Sequence, residues 1–196
     1  QTTLGTLLCT RMRIAMLADV AVLNGGAIRA NRDYPVRFTY GDLETEVPFE
    51  NQVVVVAMPG AVLKAAIIAS RSHAPAESGG FLQTCTDPAT LDDAATYRVA
   101  LVRNLFEGMD HNVPLMQFAI AHPEAVPPAN TGRDIKHVLA EAFAIELWKK
   151  LGGIDHVDTN HDGTADEAEI LAALERVGDH APSHVIAHLL VDVQKR

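Results

Sequence analysis

Ala18-Asp19-Val20-Ala21-Val22-Leu23-Asn24-Gly25-Gly26-Ala27-Ile28-Arg29 is the stretch on which the fold turns. An apolar, β-branched run that stops at paired glycines predicts a buried strand opening into a tight loop, because glycine tolerates positive φ and close backbone approach. Such a loop presents bare amides. Arg29, five residues past Asn24, adds a fork of donors suited to a carboxylate or phosphate, so the loop has the parts of a cradle for an anion or polar ligand. The plainer alternative is a strand-to-turn junction with a surface arginine.

Before this stretch, Leu4, Leu7, Leu8, Met12, Ala15 and Met16 share one helical stripe, which predicts an amphipathic helix over residues 2 to 18. After it, Phe38-Thr39-Tyr40-Gly41-Asp42-Leu43 reads as a short strand and a helix start with Asp42 as N-cap. Gln52-Val53-Val54-Val55-Val56-Ala57-Met58 is the strongest strand signal, too continuously apolar for a surface strand, and Pro59-Gly60 ends it. A helix from Ala61 to Ser70 follows, then strands at Phe81-Leu82-Gln83 and Tyr97 to Val102, the latter opening into a loop from Asn104 to Asp110. Pro123, Pro127 and Pro128 exclude regular structure between His122 and Gly132, making this the best boundary candidate. Beyond it come helices at Asp134 to Leu151, Glu167 to Val177, and a last one begun by Pro182 and Ser183 with the stripe Val185, Ile186, Leu189, Leu190 and Val193.

The chain has 196 residues, 48% of them apolar, enough to bury a core as one domain with an appendage or as two small domains. A net charge of −9 argues against nucleic acid or an anionic membrane surface as partner. No apolar run approaches the roughly 18 residues of a membrane span. Cys9 and Cys85 lie far apart without a CxxC pattern, which fits two thiols or one disulfide.

Thr3-Leu4-Gly5-Thr6-Leu7, the stretch Ala18 to Arg29, Phe38 to Leu43, Val47-Pro48-Phe49-Glu50-Asn51, Pro59-Gly60-Ala61-Val62-Leu63-Lys64, Gly80-Phe81-Leu82-Gln83 and Tyr97-Arg98-Val99 form an ordered series. Over residues 1 to about 110 it resembles the C-terminal domain of the 5'-nucleotidase and UDP-sugar hydrolase family. That resemblance implies an α/β fold of the α+β kind, a mixed sheet with helices packed on it, over residues 1–136. It also implies the substrate-binding half of an enzyme whose separate N-terminal metallophosphoesterase domain holds two divalent metals. By the same resemblance Asn24, Gly26 and Arg29 line the nucleoside and phosphate side, Phe49 is one face of a clamp on the base, and Asp110 accepts from the ribose hydroxyls. A nucleotide or nucleoside is then the expected partner, and a secreted or periplasmic location the expected compartment. The series departs from the family at Thr3, where asparagine is usual, at Ala27, where a third glycine is usual, and at Asn104, which aligns with the second clamp aromatic and leaves Phe106 two places away. The segment between Gln83 and Tyr97 is also short.

None of the two-metal motifs is present, so this chain alone is expected to be inactive. His184 and His188 stand i,i+4 on the last helix, a spacing able to hold zinc, but no local carboxylate or cysteine completes a set. Asp158-Thr159-Asn160-His161-Asp162-Gly163-Thr164-Ala165-Asp166-Glu167-Ala168-Glu169 matches an EF-hand loop at positions 1, 3, 5, 6, 9 and 12, between two helices. The pattern predicts Ca2+ held by Asp158, Asn160, Asp162, the carbonyl of Thr164, Asp166 and Glu169, in a helical EF-hand region over residues 137–196. Part of it has a second explanation, a capping box between Asp166 and Glu169. The rival to the nucleotidase reading is a non-catalytic, calcium-stabilised interaction module on a degenerate scaffold.

Overall fold

The computed structural model describes residues 2–30, 32–34, 38–72 and 80–176. The expected last helix, with His184 and His188, lies outside the described residues. The chain divides into two compact units, Gln1–Leu139 and Ala140–Arg196.

In the first unit, the Thr2 hydroxyl accepts from the Gly5 amide and opens helix α1, Thr3–Ala15, which buries Leu8, Cys9 and Met12. The left-handed Leu17 then turns the chain into β1, Val20–Asn24, in which every residue is buried. Helix α2, Tyr40–Glu46, starts earlier than the expected Asp42 cap. Thr39 is the N-cap, and Asp42 completes a capping box by accepting from the Thr39 amide at 2.9 Å. The expected strand at Phe38 does not form.

β2, Gln52–Pro59, runs straight into α3, Gly60–Ser70. β3 is Leu82–Thr84, β4 is Thr96–Val102, α4 is Val113–Ala121, and the two-residue β5, Arg133–Asp134, follows the proline-rich connection. The strands form one mixed sheet in the order β3-β1-β4-β2-β5, in which only β1 and β4 are parallel. Val20, Ala21, Val22, Leu23, Val53, Val99, Ala100 and Leu101 are buried in its strands, as are Leu8 and Met12 of α1, which packs on β1 and β3, and Leu63 and Ile67 of α3, which packs on β2 and α4. Cys9 and Cys85 are free thiols. Cys9 is buried and donates to the Gln83 carbonyl at 3.3 Å.

Helix α5, Ile135–Leu151, is opened by the Asp134 carboxylate, which accepts from the Lys136 and His137 amides. Within the second unit, Ala144, Trp148 and Leu151 of α5 pack with Val157, Ala165 and with Ile170, Ala173 and Leu174 of α6, Glu167–Arg176. No helix among the described residues is long and apolar enough to cross a membrane.

Candidate functional site

Strand direction brings four chain segments to one end of the sheet. β1 and β4 are parallel, so Asn24 and Val102 finish together. β2 and β3 run antiparallel to them, and the register pairs Val53 with Val102 and Leu82 with Asn24, so their starts lie at the same end. The residues just outside these ends are the Gly25–Ala27 turn, Phe49, Gly80 and Phe81, and the turns that carry Asp110.

After Asn24 the chain makes a right-handed 3-10 turn, so the expected left-handed glycine backbone is not found there. The expected row of bare amides is corrected at four positions, Gly26 not among them. The N–H groups of Gly25, Ile28, Arg29 and Ala30 donate to Phe81 O (2.7 Å), Gly25 O (3.1 Å), Glu46 O (2.9 Å) and Glu46 Oε2 (2.9 Å). Backbone donors have been spent on shaping the loop, as burial demands. Ala27 takes the third-glycine position with its side chain in the core, 1% exposed.

The left-handed backbone at this end lies instead after β4, at Gly108 (φ 100°), Asp110 (φ 59°) and His111 (φ 51°). Aspartate is one of the few non-glycine residues that tolerates this region. The bend turns Asp110 back toward β1. The Asn24 amide nitrogen donates to Met109 Sδ at 3.7 Å, and a Cβ on Gly80 would lie 3.3 Å from Asp110 O, so β1, β3 and the turn after β4 meet here. Burial raises the Asp110 carboxyl above the ordinary carboxylate range, while Asn24, His111 and Arg29 pull it down less strongly.

Two acceptors in this corner, Asn24 Oδ1 and Asp110 Oδ2, are buried with no hydrogen-bond partner. Asn24 is only 5% exposed. Orphaned buried acceptors cost about 1–3 kcal/mol each and call for a donor. Beside them the Arg29 guanidinium lies 5.1 Å from the centroid of the Phe49 ring, and Phe49 is 44% exposed, an unusual degree for a large aromatic. Asn24, Arg29 and Asp110 are thus brought together, with Phe49 against the Arg29 guanidinium. Phe106 offers no second aromatic face: it is 7% exposed and packs on Phe118 with centroids 6.3 Å apart, while Asn104 is exposed. A separate surface cleft lined by Arg71, Cys85, Thr86, Asp87 and Pro88 lies beyond the other end of β3.

One participant was not anticipated. Glu46, 1% exposed, holds the loop that carries Arg29. A signal for it exists in the sequence, since Glu46 falls on the same helical face as Leu43 and Val47, where an acidic residue is out of place.

In the second unit the loop from Asp158 to Glu169 is closed by its own carboxylates. Asp158 accepts from the Asp162 and Gly163 amides (3.2 and 2.8 Å), Asn160 Oδ1 from the Asp162 amide (2.8 Å), and Asp162 from the amide and hydroxyl of Thr164 (2.9 and 2.8 Å). Glu169 reaches across to the amides of Thr159 and Asn160 (2.8 and 3.1 Å), and His161 and Gly163 turn the backbone in left-handed conformations. Asp166 and Glu169 also exchange reciprocal bonds at the start of α6, so the capping box is present. Among the described residues, no three His, Cys, Asp or Glu side chains are gathered as a ready metal-ligand set. The donor set is nevertheless all oxygen, with Asp158 and Glu169 nearly buried (7% and 9% exposed), which is the chemistry of a hard cation.

The mixed sheet with packed helices is the fold of the 5'-nucleotidase C-terminal domain. The family model described as 5'-nucleotidase, C-terminal domain, matches residues 1–87. Among solved structures, a 5'-nucleotidase precursor from Thermus thermophilus is similar with a TM-score of 0.53 at 24% identity, over 79% of this chain and 33% of that one. The Haemophilus influenzae NAD nucleotidase is similar with a TM-score of 0.51 at 20% identity, over 75% of this chain and 30% of that one. The chain spans about a third of the length of these structures. No curated protein matches the sequence.

Proposed function

We propose that the first unit is the substrate-binding domain of a 5'-nucleotidase-like metallophosphoesterase and binds a nucleoside or nucleotide at the end of the sheet where Asn24, Arg29, Phe49 and Asp110 lie. The observation that carries this reading is the pair of orphaned buried acceptors, Asn24 Oδ1 and Asp110 Oδ2, beside an exposed aromatic ring and a guanidinium. A ligand that satisfies all of these supplies hydroxyl or amino donors to the carboxamide and carboxylate, a flat face to Phe49 and an oxyanion to Arg29. A nucleotide has each of these groups. The family match over residues 1–87 and the nucleotidases among the fold neighbours support the same choice. With one aromatic face instead of two, affinity is weak, on the order of millimolar. Catalysis would require a metallophosphoesterase domain with two divalent metals elsewhere in a longer chain, and by family habit such a protein is secreted or periplasmic.

The second unit is proposed to bind one Ca2+ in the loop from Asp158 to Glu169. Asp158, Asn160, Asp162, the Thr164 carbonyl, Asp166 and Glu169 supply the oxygens, with Glu169 able to give two. These side chains now accept from the loop's own amides, so the ion would draw them inward around a backbone already turned at Gly163. This component also fits the rival reading, a non-catalytic binding module on a degenerate scaffold, which the missing second aromatic face favours.

Calorimetric titration of the chain with adenosine and AMP tests the first unit. Phe49→Ala should weaken binding by about 1–3 kcal/mol, roughly 5- to 150-fold. Heat of binding unaffected by Phe49→Ala, or none at millimolar ligand, favours the rival. Phosphate release from AMP with added manganese or zinc should stay at the buffer level.

A further inference from the structure

We infer that Glu46 is a positioning residue for the ligand site, holding the Arg29 loop against the Phe49 segment so that the guanidinium and the ring present one continuous face. Glu46 grips the loop at three points. Its carbonyl accepts from the Arg29 amide at 2.9 Å, its Oε2 from the Ala30 amide at 2.9 Å, and its Oε1 from the Tyr34 hydroxyl at 2.8 Å. Three residues further on, the same stretch of chain delivers Phe49, whose ring lies under the Arg29 guanidinium.

The placement is not what stability alone would select. A carboxylate 1% exposed is costly to desolvate, and Glu46 is the last residue of α2, where the helix dipole disfavours negative charge. A leucine there would complete the apolar face formed by Leu43 and Val47 at lower cost. What leucine cannot do is accept from the Ala30 amide and the Tyr34 hydroxyl. The bonds fix the backbone at Arg29 and Ala30 and so set where the exposed guanidinium meets the Phe49 ring, which is the support expected of a ligand contact. Tyr34 is in turn braced edge-on by Phe38, with centroids 5.0 Å apart.

The assignment of the ligand as a nucleotide rests on the proposed function, but the positioning role has its own readout. In the full chain, the side-chain Nε–H resonance of Arg29 should show a ring-current shift that Phe49→Leu removes. Glu46→Leu should remove the same shift, with secondary structure retained by circular dichroism, and weaken AMP binding about tenfold. Glu46→Gln, which can accept from Ala30 and pair with the Tyr34 hydroxyl turned round, should keep both. If Glu46→Leu fails to fold, Tyr34→Phe serves in its place and should reduce the shift in part. An Arg29 shift unchanged in Glu46→Leu, or unchanged in Tyr34→Phe where that variant stands in, overturns the positioning role. A shift that responds as expected in a chain that binds no AMP overturns the nucleotide reading and leaves the positioning role standing.

Discussion

Asp110 combines a left-handed backbone, a buried oxygen without a partner and a carboxyl raised above its ordinary pKa. Because burial raises the folded-state value, the protonated form is the one the fold favours. Asp110 therefore contributes stability below its unfolded pKa that is lost as pH rises through the folded pKa, until a ligand donor relieves the ionised form. Two outcomes follow. Ribose-bearing ligands should bind more weakly as pH falls through the raised Asp110 pKa, and Asp110→Asn should flatten that dependence while weakening neutral-pH binding by about 1–3 kcal/mol. The same substitution should slightly raise the ligand-free melting temperature, which a thermal melt at neutral pH checks. Gly60 is a structural counterpart. A Cβ there would lie 2.0 Å from the Asp92 carbonyl oxygen, backbone that cannot swing aside. Gly60→Ala should cost about 3 kcal/mol, the upper part of the overpacking range, read as a lowered urea midpoint with unchanged slope.

Among the elements, those with strong hydrophobic period were legible and those defined by side-chain exchange were less so. β2 and α3 follow directly from an unbroken valine run and the Pro59-Gly60 stop, because β-branched residues favour a strand, although β2 buries only Val53, Val54, Val56 and Met58 and leaves Ala57 and Pro59 exposed. Helix α2 was misplaced by its cap. Thr39 and Asp42 are both good capping residues, and only the reciprocal bonds between them show that Thr39 is outermost. Thr39→Ala should lower stability by about 1 kcal/mol. In the loop from Asp158 to Glu169, hydrogen bonds lower the Asp162 carboxyl, first from the Thr164 side chain, and the Glu169 carboxyl, first from the Thr159 side chain. Folded values below the unfolded ones give stability that is present above the ordinary carboxylate range and lost as pH falls through the lowered values. Ca2+ should add to it. Millimolar calcium should raise the melting temperature of the chain at neutral pH, and Glu169→Gln should abolish most of the gain; no gain in the unaltered chain would remove the calcium site.

At the scale of the whole molecule, the resemblance named the residues of the proposed ligand site one by one, but not their convergence. Asn24, Arg29, Phe49 and Asp110 are spread over 87 positions, and what gathers them is the mixture of one parallel and three antiparallel pairings, which hydrophobic pattern does not specify. The amide cradle was misjudged in part for a related reason. The partners that consume those amides, Phe81 O and Glu46, arrive from segments distant in sequence. Phe106 likewise stood near enough in sequence to serve as a second clamp, and only its packing on Phe118 removes it from the site. The proposed nucleotide site therefore depends on convergence: four segments from separate strands would have to meet in one corner. Chemical-shift mapping of the isotope-labelled chain during an AMP titration tests it most directly. Concerted, saturable shifts are expected at the Asn24 side-chain amide, Arg29, Phe49, Gly80-Phe81 and Asp110, and no others of comparable size in the first unit. Shifts centred elsewhere, such as the Arg71 and Cys85 cleft, or confined to one of the four segments, would contradict it.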